Sequence, residues 1–314
     1  MNLAPLLAQF DLPPHTQAVR LSAHADVWAL QLIDCRAVLK RTSLNHAPGI
    51  AAWSQALAQA GVQVLAPLPG PTVLLPEGAG DSSRWVLYPF VEGRRYQGLD
   101  QDLERAGALL GQIHAAGPDQ TFDLPHLAAV RAFTASDLQA LSDEVLEGLA
   151  RAQLSTARPA ALLAERQIQY LTGALPRAVS QPLPMVNCSW DHKAANLVYL
   201  PSGEPVLVDP DNAARMPRVY DLALTALSFH LDPSLHSGPA QLMTPAQWAT
   251  FLRGYSQHID LTPLEHQMWP DVLLCAWMDE ALWQLSQVGD GWQDEAAREV
   301  WLELLTLPQP FALT

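Results

Sequence analysis

Cysteine is scarce in this chain of 314 residues. Cys35, Cys188 and Cys275 lie far apart, no CxxC pair occurs, and an odd count argues against a disulfide framework. Charge is sparse too, at 16% of residues, and it is one-sided: 18 Lys and Arg face 32 Asp and Glu, for a formal net charge of −14. The basic footprint that a nucleic-acid binder needs is therefore missing. Long apolar runs are absent as well, so no segment reads as a membrane span. The stretch Met1 to Asp11 lacks the basic region that precedes the apolar part of a signal peptide. A reducing, cytoplasmic setting with neither nucleic-acid nor membrane partners is the expectation. No GxSxG elbow or HExxH helix occurs, which leaves a helical hydrolase without support. The acidic balance fits a cationic small substrate, and it serves solubility equally well.

What is plentiful is apolar surface. Hydrophobic residues make up 49% of the chain, enough for a sizeable core in one large domain or in two moderate ones sharing a cleft. Apolar spacing predicts a short helix over 2–10, stopped before Pro13-Pro14. Val27–Ile33 and Ala37–Lys40 read as strands around a turn at Asp34-Cys35-Arg36. A helix is expected over 49–60, ended by Gly61, and then two strands over 72–75 and 84–90, joined by the Gly/Ser-rich loop 77–83. Beyond Glu92-Gly93 the pattern turns helical, with Leu103, Ala106, Leu110 and Ile113, then Leu138, Leu141, Val145 and Leu149, at helical spacing. Strands reappear at 197–200 and 205–209, and helices resume from Tyr220. The outline is a β-rich lobe, a connector near 88–94 and a large helical lobe, an arrangement that leaves a cleft where ligands commonly sit.

The strongest local signal is Trp190-Asp191-His192-Lys193-Ala194-Ala195-Asn196, followed by Val206-Leu207-Val208-Asp209-Pro210-Asp211. Phosphoryl transfer needs a carboxylate to orient the attacking hydroxyl, hard oxygen ligands for Mg2+, and a cation on the phosphate oxygens. An Asp with an Asn five residues later, then an Asp ending the next strand, supplies the first two. Lys40, ending a strand in the small lobe, supplies the third. Taken singly, each part has a plainer reading: Asp191 and Asn196 as a turn with a helix cap, Lys40 as a solvated charge.

In order, Lys40, Asp191, Asn196 and Asp209 resemble the pattern of the aminoglycoside phosphotransferase and choline kinase-like family. Trp85–Gly93 is similar to that family's last small-lobe strand and hinge, Leu109-Leu110-Gly111-Gln112-Ile113-His114 to its LLGxLH helix, and Tyr220-Asp221-Leu222-Ala223 to the helix start behind the catalytic loop. The resemblance covers about residues 19 to 230. It implies an α+β, protein-kinase-like two-lobe fold, with a nucleotide-binding lobe over 1–91 and a helical catalytic and substrate lobe over 92–314. It further implies a small-molecule kinase that uses ATP or GTP and Mg2+. Asp191 would be the catalytic base, Asn196 and Asp209 the metal ligands, and Lys40 the contact to the inner phosphates. The backbone around Tyr88, Phe90 and Val91 would meet the adenine edge. Asp211 would support the metal site and Asp221 the catalytic loop.

Three departures from the family pattern stand out. Ser189-Trp190 replaces the His-Gly that usually precedes the catalytic Asp. The loop Ser22-Ala23-His24-Ala25-Asp26 carries no glycine, and Asn45 to Ala60 holds no acid to pair with Lys40. They favour a rival reading, a pseudokinase that binds nucleotide or acts as a scaffold. Among the ten tryptophans, most of them core, Trp283 lies one helical turn from Asp279, a pair suited to an amine-bearing acceptor. Cys188 and His114 read as buried structural groups.

Overall fold

The computed structural model describes residues 3–22, 25–42, 46–70, 73–77, 81–117, 120–231, 241–307 and 311–313. The glycine-free loop therefore lies partly outside the described residues, at 23 and 24, as does the centre of the Gly/Ser-rich loop at 78–80. Strands β1 (Gln17–Arg20), β2 (Val27–Gln31), β3 (Arg36–Thr42), β4 (Val73–Glu77) and β5 (Asp81–Pro89) form one antiparallel sheet in the order β1-β2-β3-β5-β4. The expected turn at Asp34-Cys35-Arg36 is the β2–β3 hairpin, with Gln31 opposite Arg36.

Strand side chains alternate between faces, so the register decides what each side of this sheet does. Lys40 opposes Val86 and Val38 opposes Tyr88, which places these four on one face. Ala37, Leu39 and Trp85 point the other way, where helix α1 (Ala4–Gln9) covers them with Leu3, Leu6, Leu7 and Phe10. Each such side chain, fully buried, contributes about 1.5–3 kcal/mol. With the outer face sealed by α1, the face carrying Lys40 is left to line a cleft.

Helix α2 (Ala47–Gln59) belongs energetically to the larger lobe, since Ile50, Trp53 and Leu57 join its core. The chain then ties itself to that lobe again: Leu65 N–H donates to Leu207 O (2.8 Å) and Leu207 N–H to Gln63 O (3.0 Å). After β5 the connector is pinned by a two-way exchange between Arg94 and Tyr199 (2.9 and 2.8 Å). Gly93 makes that approach possible, because a Cβ there would stand 2.5 Å from Tyr199 O.

The rest is mainly helical: α3 (Asp100–Ala115), α4 (Ala135–Arg151), α5 (Ala157–Gln169) and α6 (Leu175–Ser180), then α7 (Arg218–Ser228), α8 (Pro245–Tyr255), α9 (Pro263–Ala276), α10 (Leu282–Gln287) and α11 (Glu295–Thr306). Thr134/Asp137, Thr244/Gln247 and Thr262/Glu265 start α4, α8 and α9 with reciprocal side-chain caps, which satisfy amides that a helix start leaves unpaired. No helix among the described residues is long and apolar enough to cross a membrane.

Four short strands interrupt the helices: β6 (Met185–Cys188), β7 (Leu197–Tyr199), β8 (Pro205–Leu207) and β9 (Ala214–Pro217). β6 pairs with β9 and β7 with β8, so one antiparallel ribbon is nested inside the other. The nesting positions the site. Both connections, 189–196 and 208–213, must run from the outer ribbon to the inner one, and they run side by side. Val208 N–H donates to Asn196 O (2.9 Å), which fastens them together.

Candidate active site

Two loops and one strand meet at the cleft. Lys40 reaches from β3 to both acids of the second loop, with Nζ 2.5 Å from Asp209 Oδ1 and 2.9 Å from Asp211 Oδ2. These two carboxylates take the place of the acid missing from α2. Burial opposes the ammonium charge, but Asp209 and Asp211 outweigh it and hold Lys40 above its ordinary range. Asp211 is braced from above as well, accepting from the Tyr88 hydroxyl at 3.2 Å. Burial and the Asp211 charge push the Tyr88 phenol up, so it stays a donor.

Asp191 is held at both oxygens. Its Oδ2 accepts from Asn196 Nδ2 (2.9 Å) and Asn212 Nδ2 (3.2 Å), and Lys193 Nζ sits 2.8 Å from Oδ1. Asn196 Nδ2 also donates to Asp191 O (2.9 Å). With its amide nitrogen committed in this way, the group Asn196 has left to offer a cation is its side-chain carbonyl oxygen. That oxygen and the partly exposed Asp209 carboxylate are hard donors of the kind Mg2+ prefers, so the residues present fit such an ion.

The loop is braced from beneath. Asp221, on the first turn of α7 and wholly buried, accepts from Ser189 Oγ (3.4 Å) and pairs with His114 Nε2 (2.9 Å). His114 Nδ1 in turn meets the Tyr255 hydroxyl at 3.0 Å. Cys188 lies against the same carboxylate; burial, then Asp221, push its thiol well above its ordinary range, which makes it an inert packing group. His192 is likewise buried, with Nε2 on Ala106 O (2.9 Å), and burial lowers it to about 4.

Trp190 shows why the family pattern has glycine before the catalytic Asp. Its φ is +57°, in the left-handed region, where a side chain costs about 1–2 kcal/mol. The indole packs against the large core and lines the cavity beside Asp191. Replacing Trp190 with Gly and with Ala removes the indole in both cases and the backbone strain in only one. The Gly variant should be the more stable of the two by about 1 kcal/mol in urea denaturation, and equal midpoints would contradict a strained loop.

That cavity, of about 880 Å3, opens in front of Asp191 and is lined by Phe133, Trp190, Lys193, Asp279, Glu280 and Trp283 among others. Asp279 and Trp283 both line it, but not as a matched pair. Asp279 is buried, with Oδ2 accepting from the Tyr220 hydroxyl (2.5 Å) and Oδ1 meeting Arg131 Nη1 (3.1 Å), while Trp283 is half exposed. Trp277–Ala281 form a π turn between α9 and α10, so Trp283 does not follow Asp279 at plain α-helical spacing. Glu280, unnoticed in the sequence, is the acid this turn adds. Its Oε1 accepts from Gln284 (2.5 Å), and burial, then the Asp191 and Asp279 charges, raise it above its ordinary range.

The hinge residues are distributed differently from one another. Tyr88 is inside β5, paired with Val38, and Phe90 N–H donates to Arg36 O (3.2 Å). Arg36 stacks on the Phe90 ring with its guanidinium carbon 3.6 Å from the centroid. Val91 packs with Val38 and Val208 against Leu65, Val86 and Tyr88, an apolar layer of the right character for a purine ring.

A family model described as "Phosphotransferase enzyme family" matches residues 15–265. No curated protein sequence matches the chain significantly. Among solved structures, it is similar to a microcompartment-associated aminopropanol kinase (18% identity, 96% of this chain and 93% of that one, TM-score 0.67). It is also similar to an amicoumacin kinase in complex with AMP-PNP, Ca2+ and Ami (17%, 96% and 90%, 0.65). A third is an aminoglycoside phosphotransferase from Alicyclobacillus acidocaldarius (15%, 96% and 92%, 0.60). At these identities the likeness is one of fold, the small sheet and large helical lobe that these kinases share.

Proposed function

Because the chain belongs to the phosphotransferase enzyme family, we propose that it moves the γ-phosphoryl group of ATP or GTP to a hydroxyl of a small molecule that carries a cationic amine. The observation that carries this reading is the convergence of Lys40, Asp191, Asn196 and Asp209 on one cleft beside an acid-lined cavity. A similar fold bound to AMP-PNP supports a nucleotide donor.

In this reading Asp191 orients the acceptor hydroxyl and takes its proton, held in aim by Asn196, Asn212 and Lys193. Lys40 leaves Asp209 and Asp211 to grip the inner phosphates, and Asp211 keeps it in reach. Val91 offers its backbone to the base edge. Asn196 and Asp209 would hold Mg2+, which when bound offsets phosphate charge and aligns the phosphates. Asp221, through His114 and Ser189, keeps the loop in place without touching the reactants.

The acceptor side is acidic and aromatic. Asp191, Asp279 and Glu280 raise the local negative field, and Trp190 and Trp283 add ring faces that attract an organic cation. An aminopropanol kinase among the similar folds is named for an amino alcohol, which supports the same class. Glu280→Gln keeps the shape and removes one charge. It should raise the KM of an amine acceptor about tenfold and leave the nucleotide KM alone. An unchanged acceptor KM would remove Glu280 from the acceptor site.

A further inference from the structure

The cavity in front of Asp191 holds an unequal set of charges. Five acids line it, Asp137, Asp191, Asp211, Asp279 and Glu280, against two permanent cations, Arg131 and Lys193. Four of the acids already have partners. Asp137 closes the cap of α4 with Thr134, Asp191 holds Lys193, Asp211 holds Lys40, and Asp279 takes Tyr220 and Arg131. Glu280 accepts from the neutral Gln284 and makes no ion pair among the described residues. It is the acid left over for an ammonium group.

Arg131 is the matching remainder among the cations. Its Nη1 meets Asp279 Oδ1 at 3.1 Å, which leaves Nε and Nη2 without a hydrogen-bond partner among the described residues. The side chain is 55% exposed at the cavity wall, with its guanidinium carbon 5.1 Å from the Phe133 ring centroid. Nor is its backbone loosely placed. Phe133 N–H donates to the buried Tyr170 hydroxyl (3.0 Å), which donates in turn to Arg131 O (3.3 Å). The chain on either side of Ala132 is thereby pinned before any ligand arrives, and a pre-placed fork loses little freedom on binding.

We infer that Arg131 is a specificity-determining residue, which binds a carboxylate on the acceptor while Glu280 takes its amine. The preferred acceptor is then a zwitterion, a hydroxylated amino acid rather than a bare amino alcohol. This rests on the phosphotransferase reading above and narrows it. A planar guanidinium matches a carboxylate with two parallel N–H donors. A phosphate-bearing acceptor fits less well, because its second negative charge would face the acids that line the same space.

Acceptors that differ only by a carboxylate test this: L-serine against ethanolamine, L-threonine against (R)-1-aminopropan-2-ol, and L-homoserine against 3-aminopropan-1-ol. With Mg·ATP, in whichever pair reacts fastest, the acid should show a kcat/KM about tenfold above that of its amine, the effect of one charge-assisted contact. Arg131→Gln should bring that ratio to about one, through a higher KM for the acid. Arg131→Lys keeps a positive charge beside buried Asp279, so it guards against loss of the fold. It lacks the fork and should lose most of the preference as well. Equal kcat/KM within the pair, or a preference for the amine, overturns the inference and leaves phosphoryl transfer to amines standing. Phosphorylation of neither member of any pair removes both readings. A preference that survives Arg131→Gln gives the carboxylate to another group, and a lower KM for the amine in that variant makes Arg131 a cover over Asp279; either result overturns the assignment.

Discussion

Asp191→Ala is expected to lower turnover by about 10²–10⁴-fold while the protein stays folded and its nucleotide affinity changes by less than about threefold. The size follows from what the carboxylate does. It is the one acid in the centre whose two oxygens are held by side chains of both loops, with Asn196 and Asn212 on Oδ2 and Lys193 on Oδ1. On the proposed reading, removing it leaves the acceptor hydroxyl without an oriented proton acceptor. The fold should survive, because the loop is anchored elsewhere: Ser189 and His114 on Asp221 beneath, and Val208 N–H on Asn196 O at the side. Steady-state kinetics with a melting curve checks both halves. Turnover within tenfold of the parent would mean that another group accepts the proton.

Asp209→Ala should have a different signature, the loss of metal-dependent nucleotide binding. Asp209 is the more exposed of the two acids that hold Lys40 and the carboxylate donor of the pair that fits Mg2+. On the proposed reading its removal takes away a metal ligand, and it takes away half of the positioning of Lys40, while Asp211 and Tyr88 still hold the lysine near the cleft. At a nucleotide concentration a hundred times its Kd, binding stabilises the native parent by about 2.7 kcal/mol. The variant should show none of the Mg2+-dependent part of that stabilisation in a thermal shift. An equal shift in both proteins would move the metal away from Asp209.

Much of this arrangement was legible in the sequence, and the parts that were not have physical reasons. The strand-and-helix alternation before residue 91 and the apolar helical spacings after it were read from local periodicity, which survives folding because each element buries one face. The order of Lys40, Asp191, Asn196 and Asp209 marked four residues that the structure brings to one cleft. The nested ribbon was harder to see: β6 and β9 are four residues each, too short for alternation to declare itself, and their pairing is non-local. The partner of Lys40 was sought on α2 and lies instead on Asp209 and Asp211, a contact that spans 169 residues in the case of Asp209. Glu280 escaped notice because a helix wheel assumes a constant turn, and the π turn at Trp277–Ala281 breaks it. Trp190 was visible as a departure from a glycine position; that its backbone adopts the glycine-like conformation regardless is a finding of the structure.

The central claim is that this cleft transfers a phosphoryl group between a nucleotide and a hydroxylated amine. Phosphorus NMR of the purified protein with Mg·ATP and a panel of amino alcohols tests it most directly. The account predicts that the γ-phosphate signal decays into a phosphate monoester only when an amino alcohol is present, and that the Asp191→Ala protein yields none on the same timescale. Decay to inorganic phosphate alone, or a monoester formed equally well by the Asp191→Ala protein, would contradict it.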